Sequence, residues 1–169
     1  CLVLLALGVS CAATSLRGDD ESDRGTSRAL VVFSPLAPQA PAQHAGLFVG
    51  VNAFAPDGSI SPLRFAVHDA VELAHLFVIE LKLIPPRHCF VALSQDEGGQ
   101  LAPLIASHLE ELRRSGVRLI GAEKKEILQG LESACHIARE PSDLLVCAFS
   151  SHGFNDSDGV AYIMPREGQ

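Results

Sequence analysis

The stretch DLLVCAFSSHG, at residues 143–153, is the most informative part of this chain. Its six consecutive apolar residues, 144–149, are typical of a strand that is buried on both faces in the middle of a parallel sheet. The polar residues Ser150, Ser151 and His152 follow directly, and Gly153 comes after them. In open α/β sheets the functional side chains lie beyond the carboxyl ends of the strands. The stretch therefore predicts a strand whose end carries candidate functional residues.

The rest of the chain shows strand patterns alternating with helix patterns. Apolar runs predict two further strands, at residues 47–51 and 89–93. Apolar stripes at helical spacing predict three helices, over about residues 69–82, 101–114 and 123–138. A turn at residues 155–159 precedes a last predicted strand, at residues 160–164. The order strand–helix–strand–helix–helix–strand predicts an α/β fold with right-handed crossovers.

The composition fits one globular domain with a tail. The chain has 169 residues, of which 47% are hydrophobic and 20% charged, and its net charge is −7. This acidic balance argues against a nucleic-acid partner, because a phosphate backbone requires a basic surface. No apolar run reaches the roughly 18–20 residues of a membrane span, so none is predicted.

The first 16 residues, CLVLLALGVSCAATSL, have the pattern of a signal peptide. The apolar run is too short to cross a bilayer, and small residues follow it where a signal peptidase would cut. Residues 8–11, GVSC, also partly resemble a bacterial lipobox, which would make Cys11 a lipid anchor. A buried segment is the remaining interpretation. Export is therefore predicted, as a periplasmic protein, a lipoprotein or a secreted protein, with the cytoplasm as the alternative.

Residues 17–44 are acidic at first and then rich in Ala and Pro, which predicts a flexible linker. The folded domain is therefore predicted at residues 45–169.

His152 is the strongest candidate for a general base, since the end of a strand holds it on a rigid element beside a crevice. The competing interpretation is a loop histidine that is hydrogen-bonded to nearby Asp156 or Asp158. Residues 155–159, NDSDG, do not form a calcium loop, because Phe154 occupies the first ligand position of that pattern.

The three cysteines of the predicted domain do not suggest a metal site or a disulfide framework. Cys147 lies inside the apolar strand, Cys135 lies on a helix face predicted to be buried, and Cys89 begins a strand. Their spacing is not that of metal ligands. We therefore predict that Cys147 is a small, inert residue of the core.

Four stretches of the chain, in the same order and spacing, resemble the caspase-like cysteine peptidases, the group of caspases, metacaspases and their bacterial relatives. Residues 47–52, LFVGVN, are similar to an opening strand A-L-L-I-G-I-N, and residues 62–70, PLRFAVHDA, to L-x-G-A-x-N-D-A. Residues 143–153 are similar to D-x-x-x-F-Y-F-S-G-H-G, and residues 159–165, GVAYIMP, to G-x-x-Y-L-L-P. The resemblance covers about residues 45–165.

The resemblance implies a three-layer α/β sandwich with a mostly parallel sheet, and a cysteine endopeptidase that acts on protein or peptide substrates. His152 matches the catalytic histidine of the Cys/His dyad, and the backbone N–H of Gly153 matches one oxyanion donor. In such a dyad the imidazole takes the proton of the thiol, which then attacks the scissile carbonyl as a thiolate. No cofactor is expected; some metacaspases use calcium, but its ligands would lie largely beyond this segment.

Two further residues match positions associated with the specificity pocket of the family, Asp69 and Ser150. An Asp at the pocket floor would favour Lys or Arg in the substrate. Asp69 is also a good helix N-cap, and this alternative stays open. Arg64 only weakly matches the arginine with which caspases bind acidic substrates, because its spacing to Asp69 is one residue short.

The chain departs from the family pattern at three positions and lacks its nucleophile. Phe65, His68 and Ser151 replace the usual Gly, Asn and Gly, and no D-x-C-x-S-G occurs before Gln169. The resemblance thus implies an N-terminal portion, truncated before the nucleophile-bearing strand and inactive by itself. Two hypotheses follow: a peptidase whose nucleophilic Cys lies outside this sequence, or a catalytically inactive caspase-like scaffold or binding module.

Overall fold

The computed structural model of this chain describes residues 2–8, 42–54, 60–94 and 101–167. One sheet contains the strands β1 (Leu2–Gly8), β2 (Ala45–Gly50), β3 (Cys89–Leu93), β4 (Arg118–Gly121) and β5 (Leu144–Ser150). The α-helices are α1 (Ala66–His75), α2 (Pro103–Ser115) and α3 (Lys124–Ile137). A π-helical turn, Leu76–Glu80, extends α1, and a 3-10 turn, Pro86–His88, leads into β3. The short strands β6 (Gly153–Asn155) and β7 (Ala161–Ile163) form a hairpin.

The sheet has the strand order β1-β5-β2-β3-β4. Strands β5, β2, β3 and β4 are parallel to one another, and β1 pairs antiparallel with the outer edge of β5. The predicted α/β fold with a mostly parallel sheet is therefore confirmed. The prediction that β5 lies in the middle of a parallel sheet is wrong on one side, where its neighbour is the antiparallel β1.

The chain reverses its direction of travel across the sheet between β2 and β5. It passes from β2 outward through β3 to β4, and then returns to place β5 on the opposite side of β2. Such a reversal is a topological switch point, where loops leave the sheet in opposite directions and open a crevice at the carboxyl ends of the strands. In this sheet the switch point lies between the ends of β2 and β5.

The sheet lies between two helical layers in the described part of the chain. Side chains alternate along each strand, so β2 directs Phe48 toward α1 and α2 and directs Leu47 toward α3. Strand β5 does the same with Val146 and Cys147. Burial of both sheet faces explains why these strands are apolar runs rather than alternating patterns.

Helix α1 starts very close to the end of β2. A Cβ atom on Gly50 would lie 2.5 Å from the carbonyl oxygen of Ala66 and 2.8 Å from the Cα of Val67. Only a glycine therefore allows the first turn of α1 to sit this close to the strand.

The side chain of Asp143 joins the starts of β2 and β5. The carboxylate of Asp143 accepts the backbone N–H of Gln43 at 2.6 Å, and also those of Glu140 at 2.8 Å and Arg139 at 2.9 Å. These donors, the N–H of Gln43 foremost, hold the pKa of Asp143 below its usual value. A single side chain thus fixes the entry of both strands.

The observed elements correct several of the predicted boundaries. Helix α1 begins at Ala66 with Phe65 at its N-cap, so the interpretation of Asp69 as the cap is wrong. Strands β1, β4 and β6 were not predicted: β1 has the pattern of a signal peptide, β4 is only four residues long and partly exposed, and β6 is three exposed residues that begin with Gly153. Helix α2 ends as predicted, because Gly116 adopts a left-handed conformation with a φ of 95°.

The N-terminal predictions are mostly outside the described residues. Residues 2–8 form β1, whereas Cys11 and the linker up to residue 41 lie outside the described ranges. The signal peptide and the lipid anchor therefore stay predictions. In the parts of the chain that the structure describes, no helix is both long enough and apolar enough to cross a bilayer.

Candidate active site

The candidate site lies at the carboxyl ends of β2 and β5. The two strand ends are hydrogen-bonded to each other: the N–H of Val51, directly after β2, donates to the carbonyl oxygen of Ser150 at 3.0 Å. Of the four residues that the sequence assigned to the site, Ser150 ends β5, His152 lies in the link between β5 and β6, Gly153 begins β6, and Asp69 lies in the first turn of α1.

The structure brings the two pocket-associated residues into direct contact. The Ser150 hydroxyl donates to Oδ2 of Asp69 at 2.8 Å, across 81 residues of sequence. Ser150 is buried at the end of β5, and Asp69 is half-buried in the first turn of α1. The hydroxyl thus orients this carboxylate, although neither residue lines the cavity that contains His152.

His152 has a defined partner on one of its ring nitrogens. Its Nε2 lies 2.8 Å from the carbonyl oxygen of Ser61, 91 residues earlier in the chain. Since a carbonyl can only accept a hydrogen bond, Nε2 must carry the proton. Nδ1 is then the basic nitrogen of the neutral ring. The half-exposed ring also rests on Phe54, with 5.2 Å between the ring centroids.

The competing interpretation of His152, a loop histidine bonded to Asp156 or Asp158, is wrong. Asp156 instead accepts the N–H groups of Asp158 and Val160 and the hydroxyl of Tyr162, each at 2.9 Å. These bonds, led by that of Val160, hold the pKa of Asp156 below its usual value. Asp156 therefore organises the β6–β7 turn.

Asn52 anchors the segment that carries the partner of His152, a role that sequence analysis missed. Its Oδ1 accepts the N–H of Val67 at 3.1 Å, and its carbonyl oxygen accepts the N–H of Leu63 at 2.8 Å. Its own N–H donates to the hydroxyl of Ser94 at 2.9 Å. The signal that could have revealed it is a polar residue directly after a buried strand, where its backbone and side chain need partners.

Ser151, at a position where the resemblance implies a Gly, is buried and hydrogen-bonded. Its hydroxyl donates to the carbonyl oxygen of Met164 at 2.6 Å, and the Met164 N–H donates to the carbonyl oxygen of His152 at 2.9 Å. At Gly153 a Cβ would lie 2.9 Å from the carbonyl oxygen of Tyr162. The hairpin is thus held close against the end of β5.

The described thiols do not include an evident nucleophile. Burial raises the pKa of Cys89 strongly and that of Cys147 to about 11, so both are protonated at neutral pH. Cys89 begins β3, at the opposite end of the sheet from His152. Cys135 is exposed, so the prediction that its helix face is buried is wrong; α3 packs through Ile127, Leu131 and Ala134 instead.

Two adjoining cavities border the hairpin. The first, of about 260 Å³, is lined by Ser151, His152 and Gly153 together with hairpin residues. The second is an apolar groove of about 470 Å³ between α3 and the hairpin. The residues that line both are Phe149, Phe154, Tyr162 and Ile163. Sequence analysis did not predict the groove, because the hairpin and α3 are brought together only by the fold.

No three His, Cys, Asp or Glu side chains within the described ranges are grouped so that they could hold a metal ion. The expectation that the protein needs no cofactor stays a prediction.

Comparisons with protein-family models, curated proteins and solved structures found no match to this chain. The caspase-like resemblance thus rests on the four stretches quoted above.

Proposed function

We propose that this chain carries the histidine half of a cysteine peptidase centre of the caspase-like type. The observation that supports this most is His152, which stands at the end of β5 with its Nε2–H bonded to the Ser61 carbonyl. That bond selects the tautomer in which Nδ1 can accept a proton. A main-chain carbonyl also stabilises the imidazolium that forms when Nδ1 is protonated.

In this proposal a thiol outside the described residues completes the dyad. The thiol transfers its proton to Nδ1 of His152, and the thiolate attacks the scissile carbonyl carbon. The imidazolium then protonates the leaving amine, and water hydrolyses the acyl-enzyme. The N–H of Gly153 donates to the oxyanion, an interaction whose removal costs about 3 kcal/mol in comparable enzymes.

The contact between Asp69 and Ser150 supports a preference for basic substrates. A half-buried carboxylate that is held in place by a hydroxyl presents negative charge without losing side-chain freedom when the substrate binds. The proposed substrates are therefore peptides with Lys or Arg before the scissile bond.

The role of His152 is tested in a form of the protein that contains the completing thiol. We expect His152→Ala to lower kcat/KM on a peptide with Arg before the scissile bond by about 10³-fold, because the general base is lost. The matched control is His136→Ala, which removes an exposed histidine on α3. Retention of cleavage by the His152→Ala protein, with its circular dichroism unchanged, would exclude this role.

A second candidate function is a catalytically inactive caspase-like binding module. The observation that favours it is the apolar groove beside His152, in a chain whose buried thiols have raised pKa values. A binding module would bind peptides and leave them intact, whether or not His152 is present.

A further inference from the structure

We propose that the apolar groove between α3 and the β6–β7 hairpin is a subsite for a bulky apolar side chain of the peptide substrate. This inference rests on the proposed function, and it adds a second specificity determinant to Asp69. The occupant is an extended peptide with a large aliphatic or aromatic residue a short distance from the scissile bond.

The groove exposes apolar surface that a solvated helix and hairpin do not require. Nine of the ten residues that line it are apolar, and the remaining one is Lys124. Leu128 and Phe154 are 54% and 52% exposed, and Tyr162 and Ile163 are 44% and 41% exposed. These side chains are neighbours, so together they offer one continuous apolar surface to an apolar ligand.

The walls of the groove are preformed. The rings of Phe154 and Tyr162 stack at 5.1 Å between centroids and 13° between planes, so each ring holds the other in place. The Tyr162 hydroxyl donates to Asp156, and Met164, directly after the hairpin, is hydrogen-bonded to Ser151 and His152. A volume of about 470 Å³ is within the range of ligand pockets, so the groove can receive a side chain without rearranging.

Its position indicates what occupies it. Four residues line both the groove and the cavity that contains His152. A peptide whose scissile carbonyl lies at His152 therefore has neighbouring residues beside the groove. Apolar burial there would contribute binding free energy that orients the reacting carbonyl against the imidazole.

The chain contains two unique spectroscopic probes in this groove. Tyr162 is its single tyrosine, Met164 is its single methionine, and it has no tryptophan. Tyrosine emission and the methyl signal of a ¹³C-labelled methionine therefore report on the groove and on no other part of the protein. Binding can thus be measured without any cleavage.

The experiment titrates the chain with a blocked peptide that contains two adjacent leucines, and with the same peptide carrying serines instead. We expect saturable changes of both signals with the leucine peptide, and at least tenfold weaker binding of the serine peptide. Leu128→Asp and Phe154→Ser should each weaken the binding of the leucine peptide at least tenfold. The matched control is Leu104→Ser, which removes a 61% exposed leucine on α2.

Equal binding of both peptides, or binding unaffected by Leu128→Asp, would overturn the subsite. So would signals that change with protein concentration in the absence of peptide, since a second copy of the chain would then occupy the groove. If the groove binds the leucine peptide but the protein does not cleave after basic residues, only the proposed function is contradicted. If the protein cleaves after basic residues but the groove does not bind the leucine peptide, only this inference is contradicted.

Discussion

At the scale of single residues, burial separates the described thiols into two classes. Cys89 and Cys147 are enclosed in the sheet, whereas Cys135 lies exposed on α3. Desolvation disfavours the thiolate, and the thiolate is the form that reacts with electrophiles. Position in the fold, rather than residue type, thus decides which thiol is reactive.

In the folded protein at pH 8, iodoacetamide should therefore alkylate Cys135 at least tenfold faster than it alkylates Cys89 or Cys147. Reaction of Cys147 should rise only as the pH approaches about 11. The unfolded chain ionises its thiols nearer pH 9, so unfolding releases protons above that pH and the native state loses stability as the pH rises. Peptide mass mapping after iodoacetamide, with a urea-unfolded control, measures the rates. Fast native labelling of Cys147 would contradict its burial.

The candidate site could be predicted from sequence only where its residues are local to one strand end. His152, Gly153 and Ser150 are found by their position after an apolar run. The carbonyl of Ser61 could not be found in this way, since it arrives from a loop 91 residues earlier and a carbonyl has no side-chain signature. The same reason hides Asn52, whose role depends on neighbours from three segments.

At the scale of elements, the close approach of α1 to β2 positions Asp69 over the end of the sheet. The Gly50→Ala substitution should lower the free energy of unfolding by about 3 kcal/mol or more, because the new methyl group meets the backbone of Ala66 and Val67. Gly116→Ala should lower the free energy of unfolding by only about 1 kcal/mol. A Cβ on Gly116 would meet no atom within 4 Å, so the cost arises only from the left-handed conformation, which alanine disfavours. Urea unfolding measures both values. A smaller loss in Gly50→Ala than in Gly116→Ala would contradict the packing of α1 described here.

Elements with strong periodicity were predicted well, and marginal ones were missed. Strand β3 and helix α2 follow their apolar patterns, because each buries a whole face or stripe. Strand β4 gives a weaker signal, since it is a four-residue edge strand that begins with an exposed Arg118. Leu128 on α3 fits the apolar pattern of its helix, yet it is 54% exposed and borders the open groove.

At the scale of the whole molecule, the register of β1 on β5 can be tested directly. Leu5 pairs with Cys147, and Leu4 pairs with Ala148. Opposed residues of antiparallel strands lie within disulfide distance, so Leu5→Cys should form a bond with Cys147 under mild oxidation. Leu4→Cys is the matched control and should form none with it.

Peptide mapping without reducing agent detects this bond. A Leu5→Cys protein that retains its N-terminal residues and yet forms no crosslink to Cys147 would contradict the pairing of β1. A mature protein that begins after residue 8 would instead support the predicted signal peptide, because β1 would have been removed.

The bond between Gln43 and Asp143 joins residues that are 100 positions apart in the chain. During synthesis β2 and β3 leave the ribosome long before β5, so one edge of β2 has no partner strand while the intervening residues are made. Closing so long a loop is slow, and an open strand edge can pair with other chains meanwhile. The nascent domain is therefore most exposed to misassembly in the interval before β5 emerges, and Asp143 marks the end of that interval.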